Sequence, residues 1–158
     1  KILIIENKDT WYTMRKLMKE GFGAFDVIIY GEGKKILSSI EEIEIHQKQY
    51  FRDPLSEYFY FGDLDDEGLN IFLMLKEKMK PMAINLWEDA YKTMLKAACV
   101  PEYWRKYKAQ RSLSRHQVES ALDFLSESEM DDVMHRFSEN LYLPQEIVNH
   151  RILRGMWG

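Results

Sequence analysis

The sequence predicts an α/β protein built on a mostly parallel sheet of about four strands with flanking helices. Three observations carry that expectation. Short, continuous apolar runs recur at 1–6, 25–33 and 58–62, as in strands buried on both faces. Segments with helically spaced apolar residues lie between them. After residue 88 the alternation stops, and the remainder reads as helices and loops.

"KILIIE" (1–6) ends its apolar run in a carboxylate. In "NKDTWYTMRKLMKEG", which follows, Trp11, Met14, Leu17 and Met18 have helical spacing, with Gly21 or Gly23 as the stop. "FDVIIYGEG" (25–33) is a second strand ending in a turn at Gly31 and Gly33. Residues 34–49 carry Ile36, Leu37, Ile40 and Ile43 in a helical pattern. "YFYFG" (58–62) is a third strand, "LNIFLMLKEKMK" (69–80) its following helix, and "PMAINLW" (81–87) a fourth strand. Helices are expected at 88–98, 114–126 and 128–139, with a tail at 140–158. The expected organisation is an α/β core at 1–87 and a helical C-terminal extension of the same domain at 88–158. Because the chain opens on Lys1, already inside an apolar run, it reads as a fragment of a longer protein that lacks its N-terminal region.

A chain of 158 residues is long enough for one domain with a real core. Hydrophobic content of 46% with 30% charged residues is that of a soluble globular protein. The net charge of −4 excludes a generic polyanion binder, so nucleic-acid contact needs a local basic patch or bound metal ions. The single Cys99 excludes an internal disulfide and a cysteine-based zinc site, and fits a reducing cytosol. No apolar run approaches the roughly 20 residues of a membrane span. The expected location is the cytoplasm.

The chemistry concentrates in "YFYFGDLDDEGLNIF" (58–72), where Asp63, Asp65, Asp66 and Glu67 crowd the exit of the third strand. In a parallel sheet the carboxyl ends share one edge, where α/β folds place their active groups. Glu6 is therefore expected to converge with Asp63 and Asp65. Convergent carboxylates without His or Cys suit Mg²⁺ or Mn²⁺, which take oxygen ligands, and such a site supports phosphoryl transfer. Acidic residues ahead of a helix are also ordinary caps and dipole partners, and Asp65 or Asp66 fits that duty before Gly68. Glu6 tips the balance, since a carboxylate ending an apolar strand has no capping duty that Asn7 or Asp9 cannot perform. Asp66 and Glu67 are expected only to start the helix.

These residues carry a family resemblance. "ILIIEN", a Gly-x-Gly strand end and "GDLDDEGLNI" together resemble the Toprim domain of topoisomerases, bacterial primases and certain nucleases, a Rossmann-like fold. That pattern places a Glu after the first strand and Asp-x-Asp followed by Gly after the third, matched here by Glu6, Asp63, Asp65 and Gly68. The topoisomerase VI-like branch is the most similar, although Asp66 stands where that branch has proline. Within it, "IIENKDTW", "YFGDLDDEGLNIF" and "LPQEIV" resemble the C-terminal domain of JetD-type subunits of Wadjet anti-plasmid systems, in the same order and over nearly the whole chain. The resemblance implies a Mg²⁺- or Mn²⁺-dependent DNA endonuclease acting in defence against foreign DNA. Asp63 and Asp65 would hold metal, Glu6 would ligate it or orient water, and Glu146 of "LPQE" would add a fourth carboxylate. The implied partners are double-stranded DNA and SMC-like defence subunits, with a homodimer formed through the missing N-terminal region.

Beside that reading, Pro144 opening a helix with Glu146 in its first turn explains "LPQE" equally well. Lys8, two residues past Glu6, is within reach of a phosphate at the strand end or is a solvated lysine at a helix start. "PEYWRKYKAQRSLSRH" (101–116) supplies Arg105, Lys106, Lys108, Arg111 and Arg115 with Tyr103, Trp104 and Tyr107 interleaved. That mixture suits a phosphate backbone, or else a surface loop anchored by its aromatics. The acidic stretch 119–132 beyond it gives a charge asymmetry that would orient DNA. The four histidines lack metal-ligand spacing, and nothing in the sequence singles out a nucleophilic tyrosine. Hydrolysis by metal-activated water is thus the expected chemistry. Two alternatives stand: a non-catalytic Toprim-fold module that binds DNA or a partner, and a receiver-like phosphoacceptor domain. Asn7 breaks the acidic pair a receiver needs, and no later apolar strand ends in Lys.

Overall fold

Ile2, Leu3, Ile4 and Ile5 leave no face of the first strand for water, and that strand takes an inner place in the sheet. The structure, a computed structural model, describes residues 1–40, 42, 56–99, 101–107 and 113–157. Strands β1 (Ile2–Ile5), β2 (Val27–Tyr30), β3 (Tyr58–Phe61) and β4 (Ile84–Leu86) form a wholly parallel sheet in the order β2-β1-β3-β4. Ile5 pairs with Tyr30 on one side and Phe61 on the other, so β1, β2 and β3 end at one level. The ladder runs one step further, because the Gly31 amide donates to Ile5 O and the Glu6 amide to Phe61 O. The four expected strands are therefore present, and their exits are in register.

Asn7 caps helix α1 (Lys8–Lys19), its side-chain oxygen accepting from the Asp9 and Thr10 amides. Met14 and Leu17 of the expected apolar face are buried, and Gly21 ends the helix at φ +85°. After β2 comes a 3₁₀ turn at Gly33–Lys35 and then helix α2, seen over residues 36–40. The rest of the expected 34–49 helix lies outside the described residues, apart from Glu42, which is helical. Helix α3 (Asp66–Lys78) buries Leu69, Ile71, Phe72 and Leu75.

Beyond β4 the chain forms α4 (Glu88–Ala97), β5 (Arg105–Lys106), α5 (Arg115–Ala121), α6 (Glu127–Ser138), β6 (Leu141–Tyr142) and α7 (His150–Gly155). Ser114 with Gln117 and Ser126 with Glu129 build capping boxes that start α5 and α6. The expectation of helices and loops alone is corrected at one point: β5 and β6 pair antiparallel as a two-stranded ribbon. Two-residue strands give no periodic signal, and this pairing joins segments 36 residues apart, as Lys106 opposite Leu141 is 35 and Arg105 opposite Tyr142 is 37. Just past β6, Leu143 bridges Leu64 in the turn after β3, with amide-to-carbonyl distances of 2.9 and 3.2 Å. Leu143, Val148 and Leu153 are buried in the same apolar cluster as the sheet, so the extension returns to the strand exits.

Candidate functional site

The turn from Gly62 to Asp65 alternates its side chains. Leu64 is fully buried, while Asp63 and Asp65 on either side of it are only partly buried. Asp63 Oδ1 accepts the Gln145 amide at 2.8 Å. Asp65 is the N-cap of α3, with Oδ1 accepting the Gly68 amide at 2.7 Å. The capping reading therefore holds for Asp65, and the cap takes one of the about four lone-pair directions of an ionised carboxylate. Gly68 is obligatory here, because a methyl group on it would run into the Asp63 carbonyl oxygen.

Glu6 leans across Gly62. Its Oε2 accepts the Tyr60 hydroxyl at 2.7 Å, and a methyl on Gly62 would overlap both groups. Tyr60 is fully buried, so its phenol is an inward donor whose ionisation is pushed far up by burial and by Glu6. The fully buried Tyr91 accepts the Gly62 amide at 3.0 Å and fixes the turn from below. Nothing in the sequence marks these two tyrosines, because each acts over a long separation that only the sheet closes.

The C-terminal extension completes the group. Gln145, with no exposed surface, accepts the Asn7 amide on Oε1 at 3.0 Å while its own amide holds Asp63. Asn7 Nδ2 in turn donates to Glu146 Oε1 at 2.7 Å. Gln145–Ile147 is a 3₁₀ turn opened by Pro144. The local reading of "LPQE" therefore holds as a 3₁₀ turn started by Pro144, and the Asn7 bond brings Glu146 beside the exit of β1. Asp66 corrects the expectation that it merely starts a helix. It is 9% exposed and accepts the Leu113 amide at 3.3 Å and the Tyr107 hydroxyl at 3.4 Å, pinning the segment after β5 to α3. Glu67 is exposed and pairs with Lys34 at 3.2 Å.

A cleft of about 260 Å³ opens at the strand exits, lined by Glu6, Asn7, Lys8, Asp63 and Gln145 with Tyr30, Glu32 and Gly33. Asp65 is not part of that lining. Burial raises the Glu6 carboxyl, and Asp65 and Glu67 add to the rise while the Tyr60 bond opposes it. Burial likewise pushes Asp63 up to about 7, helped by repulsion from Glu6, Asp65 and Glu146. Asp65 is raised by burial and by its acidic neighbours. Crowded carboxylates of this kind gain from a cation. The donor chemistry, all oxygen, fits a hard divalent metal. Among the described residues, however, no three acidic, His or Cys side chains are placed to grip one ion together. A cation here would be held by one or two carboxylates with water and phosphate completing the shell, the usual manner of Mg²⁺.

The basic stretch divides. Arg105 and Lys106 are exposed on β5. Trp104 is buried beneath the Arg136 guanidinium at 5.4 Å, and Tyr107 meets Tyr142 edge-on at 5.9 Å, so these aromatics are anchors. Arg115 is paired to Glu119 at 2.6 Å and Asp131 at 2.8 Å, which removes it from the basic face. Lys108 and Arg111 lie outside the described residues. Lys8 is exposed at the cleft, its ammonium 5.9 Å over the Tyr12 ring. Among the described residues no helix is long and apolar enough to cross a membrane.

No curated protein matches the chain. A family model does: carboxylates at the exits of a parallel sheet, closed over by the 143–148 segment, are spanned end to end by the match to "Wadjet protein JetD, C-terminal" at residues 1–156, and the chain belongs to that family.

Proposed function

We propose that the domain is a Toprim-type, Mg²⁺- or Mn²⁺-dependent endonuclease that hydrolyses phosphodiester bonds of double-stranded DNA in anti-plasmid defence. The observation that supports it best is the meeting of Glu6 and Asp63 in one cleft, with Asp65 on the same turn. Glu6, Asp63 and Asp65 are the proposed ligands, with Glu146 adding charge from the extension. When bound, the metal would polarise a phosphoryl oxygen and lower the pKa of water. Glu6, partly buried and hydrogen-bonded by Tyr60, would ligate that metal or take a proton from the attacking water as general base. Gln145 holds Asp63 in orientation, and Lys8 offers an ammonium to a phosphate entering the cleft. Arg105 and Lys106, with Lys108 and Arg111, would follow the backbone further out. Within a Wadjet assembly, SMC-like subunits would deliver the DNA. Replacement Glu6→Gln should lower plasmid nicking in Mg²⁺ by at least a hundredfold, the lower range for a general base; undiminished nicking sinks the proposal.

One observation favours a second reading, a non-catalytic module of the same fold. Glu6, Asp63 and Asp65 are each already engaged by a protein donor, and no three acids form a ready cage among the described residues. Titration with Mn²⁺ separates the two, since the second reading expects no binding.

A further inference from the structure

The rim of the cleft carries an aromatic cluster for which hydrolysis has no use. Lys8, Trp11, Tyr12 and Arg15 recur at the spacing of one helical face on α1. The Trp11 and Tyr12 ring centres are 5.1 Å apart, and Tyr30 at the end of β2 lies 6.2 Å from Trp11. Packing accounts for Trp11, which is partly buried, but Tyr12 is 50% exposed and Tyr30 36%. Two cations flank the rings: the Lys8 ammonium at 5.9 Å from Tyr12 and the Arg15 guanidinium at 5.4 Å from Trp11. Lys8 and Tyr30 also line the carboxylate cleft, so the aromatic surface begins where the cleft ends.

Exposed rings interleaved with cations are the chemistry that receives bases and phosphates of a single strand. In an intact duplex both faces of each base are covered by its neighbours, so such a platform has nothing to stack on. We infer that Tyr12 and Tyr30 stack an unpaired base next to the phosphate held at the cleft, which makes locally unpaired duplex DNA the preferred substrate. This rests on the nucleic-acid reading proposed above. Lys8 then serves both ends, as a phosphate contact at the cleft and as the edge of the platform.

The test is binding by the full protein in EDTA, read by fluorescence anisotropy on three labelled duplexes. One is fully paired, one carries a short unpaired bubble, and one carries the same bubble made abasic. The inference expects the bubble to bind about tenfold tighter than the paired duplex, the value of roughly one base stack. The abasic bubble should lose that advantage, Tyr12→Ala should lose it too, and Tyr12→Phe should keep it. Equal binding of bubble and paired DNA, an abasic bubble bound as tightly as the intact one, or a preference that survives Tyr12→Ala would each overturn it. No metal is present and no cleavage is read, so absent nicking with an intact bubble preference would refute hydrolysis alone.

Discussion

Gly62 stands where the Glu6 carboxylate and the Tyr60 hydroxyl meet, and no other residue leaves room for both. Gly62→Ala should cost about 1–3 kcal/mol, the usual range for overpacking, and should abolish cleavage by displacing Glu6. Urea midpoints and nicking rates check the two effects separately. Tyr60→Phe keeps the ring in the core and removes only the donor. Because that hydrogen bond holds the Glu6 carboxyl down, its loss raises the Glu6 pKa further, and the acidic limb of the pH–rate profile should move to higher pH. A profile that does not move means Tyr60 only packs. The placement of Glu6, Asp63 and Asp65 at one edge was legible in the sequence, because parallel strands end at a shared carboxyl edge. Tyr60, Tyr91 and the grip of Gln145 on Asp63 were not, since each bond spans from 29 to 82 residues and leaves no local pattern.

At the scale of elements, the strands and the main helices were readable because continuous apolar runs and 3.6-residue spacing are strong local signals. The β5–β6 ribbon and the bridge from Leu64 to Leu143 were hidden, because pairing between two-residue segments depends on tertiary position alone. That bridge and the adjoining turn are what bring the extension to the site. Asn7 joins the two parts: its oxygen caps α1 and its nitrogen holds Glu146. Asn7→Asp keeps the capping oxygen but puts a negative charge against Glu146. It should leave the unfolding free energy within about 1 kcal/mol of wild type, since Asn and Asp are comparable caps. Amide hydrogen exchange over Gln145–Ile147 should nevertheless rise at least severalfold as the turn undocks. Unchanged exchange would show that the turn is held by Leu143 and Val148 without Asn7.

For the molecule as a whole, Glu6, Asp63, Asp65 and Asp66 all have raised carboxyl pKa values, each with burial as the largest cause. The folded protein therefore binds these protons more tightly than the unfolded chain does. For Asp63 the contribution is intact below the unfolded value near 3.8 and is lost as pH climbs to about 7. Asp26 and Glu129 are shifted down and act in the opposite sense, but both are exposed and screened by solvent. Metal-free protein should thus be less stable at pH 8 than at pH 5, by an amount on the order of 1–3 kcal/mol, in urea unfolding. Millimolar Mn²⁺ should recover much of that loss at pH 8 and little at pH 5, where protons compete for the same oxygens. The central claim, that these carboxylates carry metal-dependent hydrolysis of DNA, is tested most directly by plasmid nicking. The full protein should nick in Mg²⁺ or Mn²⁺ and stop in EDTA, and a folded Asp63→Asn variant should be at least a hundredfold slower. Nicking that persists in EDTA, or at the wild-type rate in Asp63→Asn, would contradict it.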